Sequence, residues 1–563
     1  MKKILAIILC LSMLVGIGAV SVSATDETLV VNVATDIHFD QDSLAKSLPK
    51  RNTVSAEYAH VADQGKLYSE SKAIVDAFLK RSATDNSQAV LISGDLADSG
   101  IKAEMEALAK MFRDFETKTG KQIYVIPGNH DVSRSDVSLF VEWFEDFGYN
   151  QALVRDENSA SYVAELDDNY RLLAIDSTLY ASGKTGFDTA RIEWIRKQCE
   201  NAQTDGKKVI AMMHHNLLPH MVLIDVLHPG SLAPDSVGLK EIFAEYGVKY
   251  VFTGHTHESD IASYTAANGE VIYDVVTGSM NVYPCQYRTV SFGDKVKFEM
   301  KSVDAVDVSM VPAGMSEEAF ALMDNDFLAY AEKCVNIGFG MTINNTVTNA
   351  SYIKKLINIT PENDPEMCAV IDSVMPRLKE AVNMPLYAKD EITEGMSIES
   401  ILAEYKVNLP SSKYKNILEL GVEIYVDHTE GDENLYAYSE EIVLASKGIG
   451  AVLIYALGDI GAEEYAQALT FVCKLLKVDA PANLISYAGD GIDRFKGIEL
   501  VISTAILPLL LEVTVDDAPG DCNLTLPGYA DLIEAEEKLT FWEKVQEFFI
   551  KFFSFVMSIF AFV

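Results

Sequence analysis

Five short motifs follow one another along this chain: Asp36-Ile-His38, Gly94-Asp95, Gly128-Asn129-His130-Asp131, His214-His215 and Gly254-His255-Thr-His257. Carboxylates neutralise the charge of a cation, imidazoles fix its geometry, and an asparagine carbonyl adds a neutral ligand. The donors Asp36, His38, Asp95, Asn129, His214, His255 and His257 offer nitrogen and oxygen but no thiolate. That set suits two hard or borderline divalent ions such as Mn, Fe or Zn. His130 and Asp131 are left over, next to a ligand without being part of the set. Nine of the ten histidines precede residue 258, and five of them fall at strand ends inside these motifs, with His215 adjacent to one of the five. Any one motif occurs by chance; their conjunction in one order points to a metal centre.

Each motif follows an apolar run of strand type: Leu29–Thr35, Ala89–Ser93, Ile123–Pro127, Val209–Met213 and Lys249–Thr253. A residue at the carboxyl end of a strand stands where open α/β sheets bind ligands. Five such strands in one sheet would gather the donors into a single crevice. Between them run amphipathic stretches at Ser69–Arg81, Lys102–Thr117 and Thr189–Asn201, the rhythm of an α/β domain. Its last strands are expected at Val271–Thr277, Tyr287–Phe292 and Lys295–Lys301.

With these motifs the sequence resembles the calcineurin-like metallophosphoesterase superfamily, whose signature is D-x-H, GD, GNH(D/E), a strand-end His and GHxH in that order. The resemblance covers about residues 28 to 300. It is closest to the cyclic-nucleotide phosphodiesterase-like branch, through Gly94-Asp95-Leu96-Ala97-Asp98-Ser99-Gly100, Pro127 before Gly128, Ile175-Asp176-Ser177 and Gly186 leading to Trp194. It implies a metallophosphoesterase-type β-sandwich flanked by helices. It also implies that Asp36, His38 and His257 bind one metal, Asn129, His214 and His255 the other, and that Asp95 bridges them. A hydroxide held between two such ions would attack a phosphoryl group in line. His130 is then expected to give a proton or hydrogen bond to the phosphoryl or leaving oxygen, with Asp131 orienting its imidazole. His215 is left as substrate-facing, supporting or structural. The purple acid phosphatases of the superfamily carry a ligand tyrosine three residues after the bridging aspartate. Here that position is Asp98, so no iron–tyrosinate is expected.

Composition bounds the rest. At 563 residues, two or more domains are expected. The net charge is −37, and −39 once Lys2 and Lys3 are removed with a signal peptide. Such a surface repels polymeric nucleic acid and anionic membranes at long range, which points to a small phosphoester substrate. Residues 1–24 read as that signal: Lys2-Lys3, an apolar core over Ile4–Val20, and Val22-Ser23-Ala24 before the cleavage point. The protein is therefore expected to be secreted or cell-surface. The six cysteines beyond it are scattered without a CxxC, so no disulfide scaffold is expected.

The domain reading is 1–24 signal peptide, 25–305 phosphoesterase domain, 306–317 linker, 318–536 mainly helical domain of unlegible role, and 537–563 amphipathic C-terminal helix. Expected helices of the second domain are Glu318–Val335, Tyr352–Leu356, Met367–Val382, Ser397–Tyr405, Ser439–Leu457 and Ala462–Leu476. Gly458-Asp459 and Asp427-His428 repeat scraps of the motifs and read as a turn and a surface polar pair. In Phe541–Val563 the polar residues Lys544, Glu547, Lys551, Ser554 and Ser558 form one narrow stripe. Such a helix suits a membrane or envelope surface, or docking on its own protein or another copy. The oligomeric state is not legible. The function expected is a secreted dinuclear-metal phosphodiesterase acting on a cyclic nucleotide or similar small diester. The alternatives are a phosphomonoesterase or nucleotidase, or a surface-binding protein with an accessory phosphoesterase domain.

Overall fold

In a computed structural model residues 28–529 are described, apart from 41–43, 179–188, 222–223, 225–229, 357, 389–395, 432, 434, 459, 490 and 516–518. The expected signal peptide, Gly186, Asp459 and the apolar C-terminal segment lie outside the described residues.

The motif strands form where expected but belong to two sheets, not one. The first sheet holds β1 (Leu29–Ala34), β2 (Ala89–Ile92) and β3 (Gln122–Val125), with β11 (Gln286–Phe292), β12 (Lys295–Ser302) and β13 (Leu524–Pro527), in the order β13-β12-β11-β1-β2-β3. The second holds β4 (Val154–Arg155), β5 (Tyr162–Glu165), β6 (Tyr170–Ile175), β7 (Lys208–Met213), β8 (Tyr250–Thr253), β9 (Asp260–Thr265) and β10 (Val271–Val276), in the order β4-β5-β6-β7-β8-β10-β9. β1, β2 and β3 run parallel, as do β7 and β8. Three motif strands therefore end at one edge of the first sheet and two at the facing edge of the second.

Alternation along β7 shows why the sheets face each other. Ile210 and Met212 join the core between the sheets, with Tyr250 and Phe252 of β8 and Val290 and Phe292 of β11. Val209, Ala211 and Met213 point the other way, into a second core with Ile195 and Leu239. Those two come from the helices Thr189–Thr204 and Ser236–Tyr246. A strand buried on both faces is apolar at every position, which is the unbroken run seen in the sequence.

After Ser302 one short turn at Val308–Met310 precedes a helical region. The helix expected over Glu318–Val335 is instead two, Glu317–Asn325 and Phe327–Thr348. Asp326 takes an extended conformation and its carboxylate accepts from Ala329 N–H, so it starts a new helix where periodicity alone continues the old one. The helix Ile417–Glu430 went unread because Ile417, Val422, Ile424 and Val426 are β-branched and carry little helical propensity. Asn416 caps it, accepting from Glu419 N–H at 2.8 Å. Residues 491–514 form a continuous helical stretch, and no described helix is long and apolar enough to cross a membrane. None of the six described cysteines is paired.

The helical region does not hang free. Its end returns as β13, antiparallel to β12, and extends the first sheet. Beyond it Lys249 Nζ donates to Gly528 O, Tyr250 Oη to Pro527 O, and Tyr529 Oη to Val209 O, tying the returning chain to the second sheet. The helix Phe327–Thr348 packs on the segment after His60. Tyr330 Oη lies 2.6 Å from His60 Nε2 and donates to Glu70 Oε1 at 2.6 Å.

Candidate metal centre

The loops after the five strands bring all seven predicted donors together. Asp36 N–H donates to Gly94 O and His38 N–H to Asp95 O, which lays the first motif along the second. His255 N–H donates to Asp36 Oδ2 across the gap between the sheets, at 2.9 Å. Packing this close excludes side chains on the backbone: a Cβ at Gly128 would collide with Asp95, and one at Gly254 with Thr35 and Asp36. Asp36, His38, Asp95, His255 and His257 all have positive φ, between 44° and 73°. Non-glycine residues held there cost about 1–3 kcal/mol each, strain that functional sites concentrate.

Two donor sets result. In one, Asp36 Oδ1 lies 3.3 Å from His257 Nε2 and 3.6 Å from His38 Nε2, and the two Nε2 atoms are 3.0 Å apart. In the other, His214 Nε2 lies 3.1 Å from Asn129 Oδ1 and 3.2 Å from His255 Nδ1. Asp95 Oδ2 is 3.4 Å from His214 Nε2 and 3.9 Å from His38 Nε2, between the sets. Ligand atoms about 2.0–2.2 Å from a common ion stand about 3.0–3.5 Å from one another, so these separations fit metal coordination. The surroundings leave the right lone pairs over. Asp36 Oδ2 is taken by Thr35 and His255, while Oδ1 is buried with no hydrogen-bond partner among the described residues. His214 donates through Nδ1 to Ser93 O, which keeps Nε2 for the centre.

Protonation agrees. Burial alone would raise Asp36 and Asp95, but the histidines around them hold both carboxyls well below the ordinary range. Burial, with the charge of His214, pulls His255 down to about 3, and burial pulls His257 down to about 4, so both present bare nitrogens at neutral pH. His214 moves the other way: against its burial, Asp95 holds it up to about 9. A proton there answers the charge of Asp95, and a divalent ion would answer the same charge.

The two remaining predictions separate. His130 sits at the rim with its side chain 34% exposed, its ring 4.7 Å from that of His38. Its Nδ1 donates to Asp98 O at 2.6 Å, leaving Nε2 to meet a ligand. Asp131 does not orient it. The Asp131 carboxylate is fully buried and accepts from the backbone N–H groups of Leu96, Ala97 and Gly128, knotting the second motif loop to the third. Burial, with Asp95 nearby, pushes its carboxyl up to about 7. Asp98 has the place expected of Asp131: its Oδ1 lies 3.4 Å from His38 Nδ1 and 3.6 Å from His130 Nδ1. It stands in the quoted Gly94–Gly100 motif, so the signal was present but unassigned. His215 is a packed residue, its Nδ1 bonded to Ser177 Oγ at 2.8 Å, and burial keeps it well below its ordinary value.

The sequence that carries this site has counterparts in known proteins. Residues 29–259 match the family model for calcineurin-like phosphoesterases. This region is a calcineurin-like phosphoesterase domain. The chain is 27% identical over 212 residues to a probable glycerophosphodiester phosphodiesterase of Arcobacter nitrofigilis, covering 36% of this chain and 71% of that one. It is 24% identical over 181 residues to a cAMP/cGMP dual specificity phosphodiesterase of Mycobacterium tuberculosis, covering 31% of this chain and half of that one. Among solved structures, a dimetal phosphatase from Danio rerio aligns with a TM-score of 0.36 at 12% identity, over 49% of this chain and 96% of that one. The phosphoesterase domain makes the protein a metal-dependent hydrolase; its family is of a dinuclear metal type, and this chain carries candidate ligand groups to match.

The helical region reaches this domain beside the GHxH loop. His428, expected as a surface polar residue, is buried, with Nε2 2.9 Å from Glu258 Oε2 and Nδ1 on Glu433. Glu258 follows His257 directly. Two residues after Glu258, Asp260 joins Asp274 in enclosing His220, whose Nε2 is 3.1 Å from Asp274 Oδ2. Ile261 N–H donates to Asp521 Oδ1. His428→Ala would strand two carboxylates and is expected to cost about 3–5 kcal/mol in denaturant unfolding, the range for breaking a buried ion pair. Burial opposes the charge on His428, but Glu258 and Glu433 raise it to about 10 from 6.5. Its stabilisation is thus complete below pH 6.5 and lost as pH rises through about 10. The gap between wild type and variant should shrink across that window; a constant gap would assign the loss to packing.

Proposed function

We propose that this protein hydrolyses a small phosphodiester outside the cell, with Asp36, His38 and His257 holding one divalent ion, Asn129, His214 and His255 a second, and Asp95 shared. One observation carries the reading: a single Asp95 oxygen faces both donor sets, at 3.4 Å from His214 and 3.9 Å from His38. Two ions of the Mn, Fe or Zn class supply charge for the phosphoryl oxygens and a water acidic enough to act as nucleophile near neutral pH. His130, at the rim and oriented by Asp98, gives a proton or hydrogen bond to the leaving oxygen. Diester preference is supported by the relatives named for glycerophosphodiester and cyclic-nucleotide hydrolysis. A small substrate is supported by the net charge of −37. Secretion rests on the sequence of residues 1–24, and envelope association on the apolar face of Phe541–Val563.

Elemental analysis of the purified protein, with an ester panel, tests this. About two divalent ions per chain are expected, with bis(p-nitrophenyl) phosphate and a cyclic nucleotide turned over faster than p-nitrophenyl phosphate or a 5′-nucleotide. Faster monoester turnover would make it a phosphomonoesterase or nucleotidase. Neither metal nor turnover would favour the surface-binding alternative. Liposome co-sedimentation of the same protein with and without residues 541–563 checks the envelope proposal, which equal sedimentation would remove.

A further inference from the structure

Lysine is rarely buried, because its ammonium must be paired or hydrogen-bonded once it leaves water. Lys66 is nevertheless only 7% exposed. The one carboxylate within 4 Å among the described residues is Asp98, whose Oδ1 lies 3.8 Å from Nζ, too far for a hydrogen bond. That same oxygen is nearer to His38 and His130. The ammonium also stands in the field of Asp95 and Asp36, and its own charge acts on His38, His130 and His257. Lys66 therefore stands beside the centre, behind Asp98 on the Nδ1 side of His38, with donor capacity that Asp98 does not use.

Its backbone is fixed on both sides. Gly65 has φ +73°, and a Cβ there would collide with the backbone of Val335 in the helix Phe327–Thr348. Leu67 N–H donates to Asn281 O at 2.8 Å, and Asn281 Nδ2 donates to His38 O at 3.1 Å. The helical region thus packs on one neighbour of Lys66, and Asn281, itself bonded to His38 O, holds the other. A charge pre-placed in this way loses little entropy on binding a ligand.

We propose that Lys66 is an anion-binding residue of the centre, its ammonium taking a negatively charged oxygen of the bound phosphoester. The proposal rests on the phosphoesterase reading and gives the helical region a part in it, that of holding the substrate-binding lysine in place. The competing explanation is that Lys66 only offsets Asp98 and so helps to orient His38.

The test uses metal-loaded full-length protein as wild type, Lys66→Met and Lys66→Arg. Metal content is measured by elemental analysis, the affinity for inorganic phosphate by calorimetry, and kcat and KM on bis(p-nitrophenyl) phosphate. Lys66→Met is expected to keep both metals, weaken phosphate binding about tenfold or more, the scale of one charge-assisted hydrogen bond, and raise KM; Lys66→Arg should recover most of the affinity. If methionine opposite Asp98 prevents folding, Lys66→Gln, which keeps an N–H donor there, carries the same readings. Phosphate affinity within twofold of wild type at full metal occupancy would overturn the proposal while leaving the phosphoesterase reading intact. So would lost affinity that excess metal restores, since Lys66 would then act through His38. A wild type that binds neither metal nor phosphate would overturn both.

Discussion

Asp95→Asn is expected to abolish turnover and to lower the metal content of the purified protein. The amide is isosteric, so its oxygen can still accept from His130 N–H, where the Asp95 Oδ1 contact is 2.8 Å. The loops should therefore survive. What is lost is charge: Asp95 Oδ2 faces His214 Nε2 and His38 Nε2, and an amide would put a donor NH2 group or a neutral oxygen there. Loss of one preorganised hydrogen bond at an active site costs about 10²–10³-fold. On the proposed assignment this carboxylate serves both sets, so a fall in kcat/KM of more than about 10³-fold is expected. Elemental analysis should show fewer than two ions per chain. Two ions retained, with activity within tenfold of wild type, would remove Asp95 from the shared position.

His130→Ala should keep both metals yet slow hydrolysis by about 10²–10⁴-fold, the range for lost general-acid help. His130 donates to Asp98 O through Nδ1, so any proton it gives to a leaving oxygen must come from Nε2. The deficit should shrink for a nitrophenyl ester, whose leaving group needs little protonation, and stay large for an alkoxide leaving group. Equal deficits on the two esters would assign His130 to the phosphoryl oxygen instead. Undiminished activity on either would take it out of the site. Because Asp131 is spent on backbone N–H groups of Leu96, Ala97 and Gly128, Asp131→Asn should act on stability of the loops rather than through the imidazole.

Much of this centre was legible before any fold was known, because ligand chemistry is local. A strand end followed by Asp-x-His, Gly-Asp, Gly-Asn-His or Gly-His-x-His states the donor types and places them at a sheet edge. Those donors do meet. The strands themselves were readable for a related reason: burial on both faces leaves a largely apolar run, broken inside the motif strands only by the buried Asn32 of β1. Misreadings came where local signals compete. Periodicity ran through Asp326, but its capping carboxylate split the helix. In the helix Ile417–Glu430, tertiary packing and the Asn416 cap overrode β-branched propensity.

Sequence by itself determined which residues could hold metal, their order, and the two-part organisation of the chain. Only the tertiary structure decided that the motif strands divide three and two between facing sheets, so that Asp36 of one meets His255 of the other. It also decided that Asp98, not Asp131, stands beside His130. It brought Lys66 beside the centre from a segment without any motif, and His428 onto Glu258 next to the GHxH loop. The physical reason is that a ligand's identity is a property of one residue and its neighbours in sequence. Which charge faces which, and which buried group is left with a free valence, depends on long-range packing that no short spacing encodes.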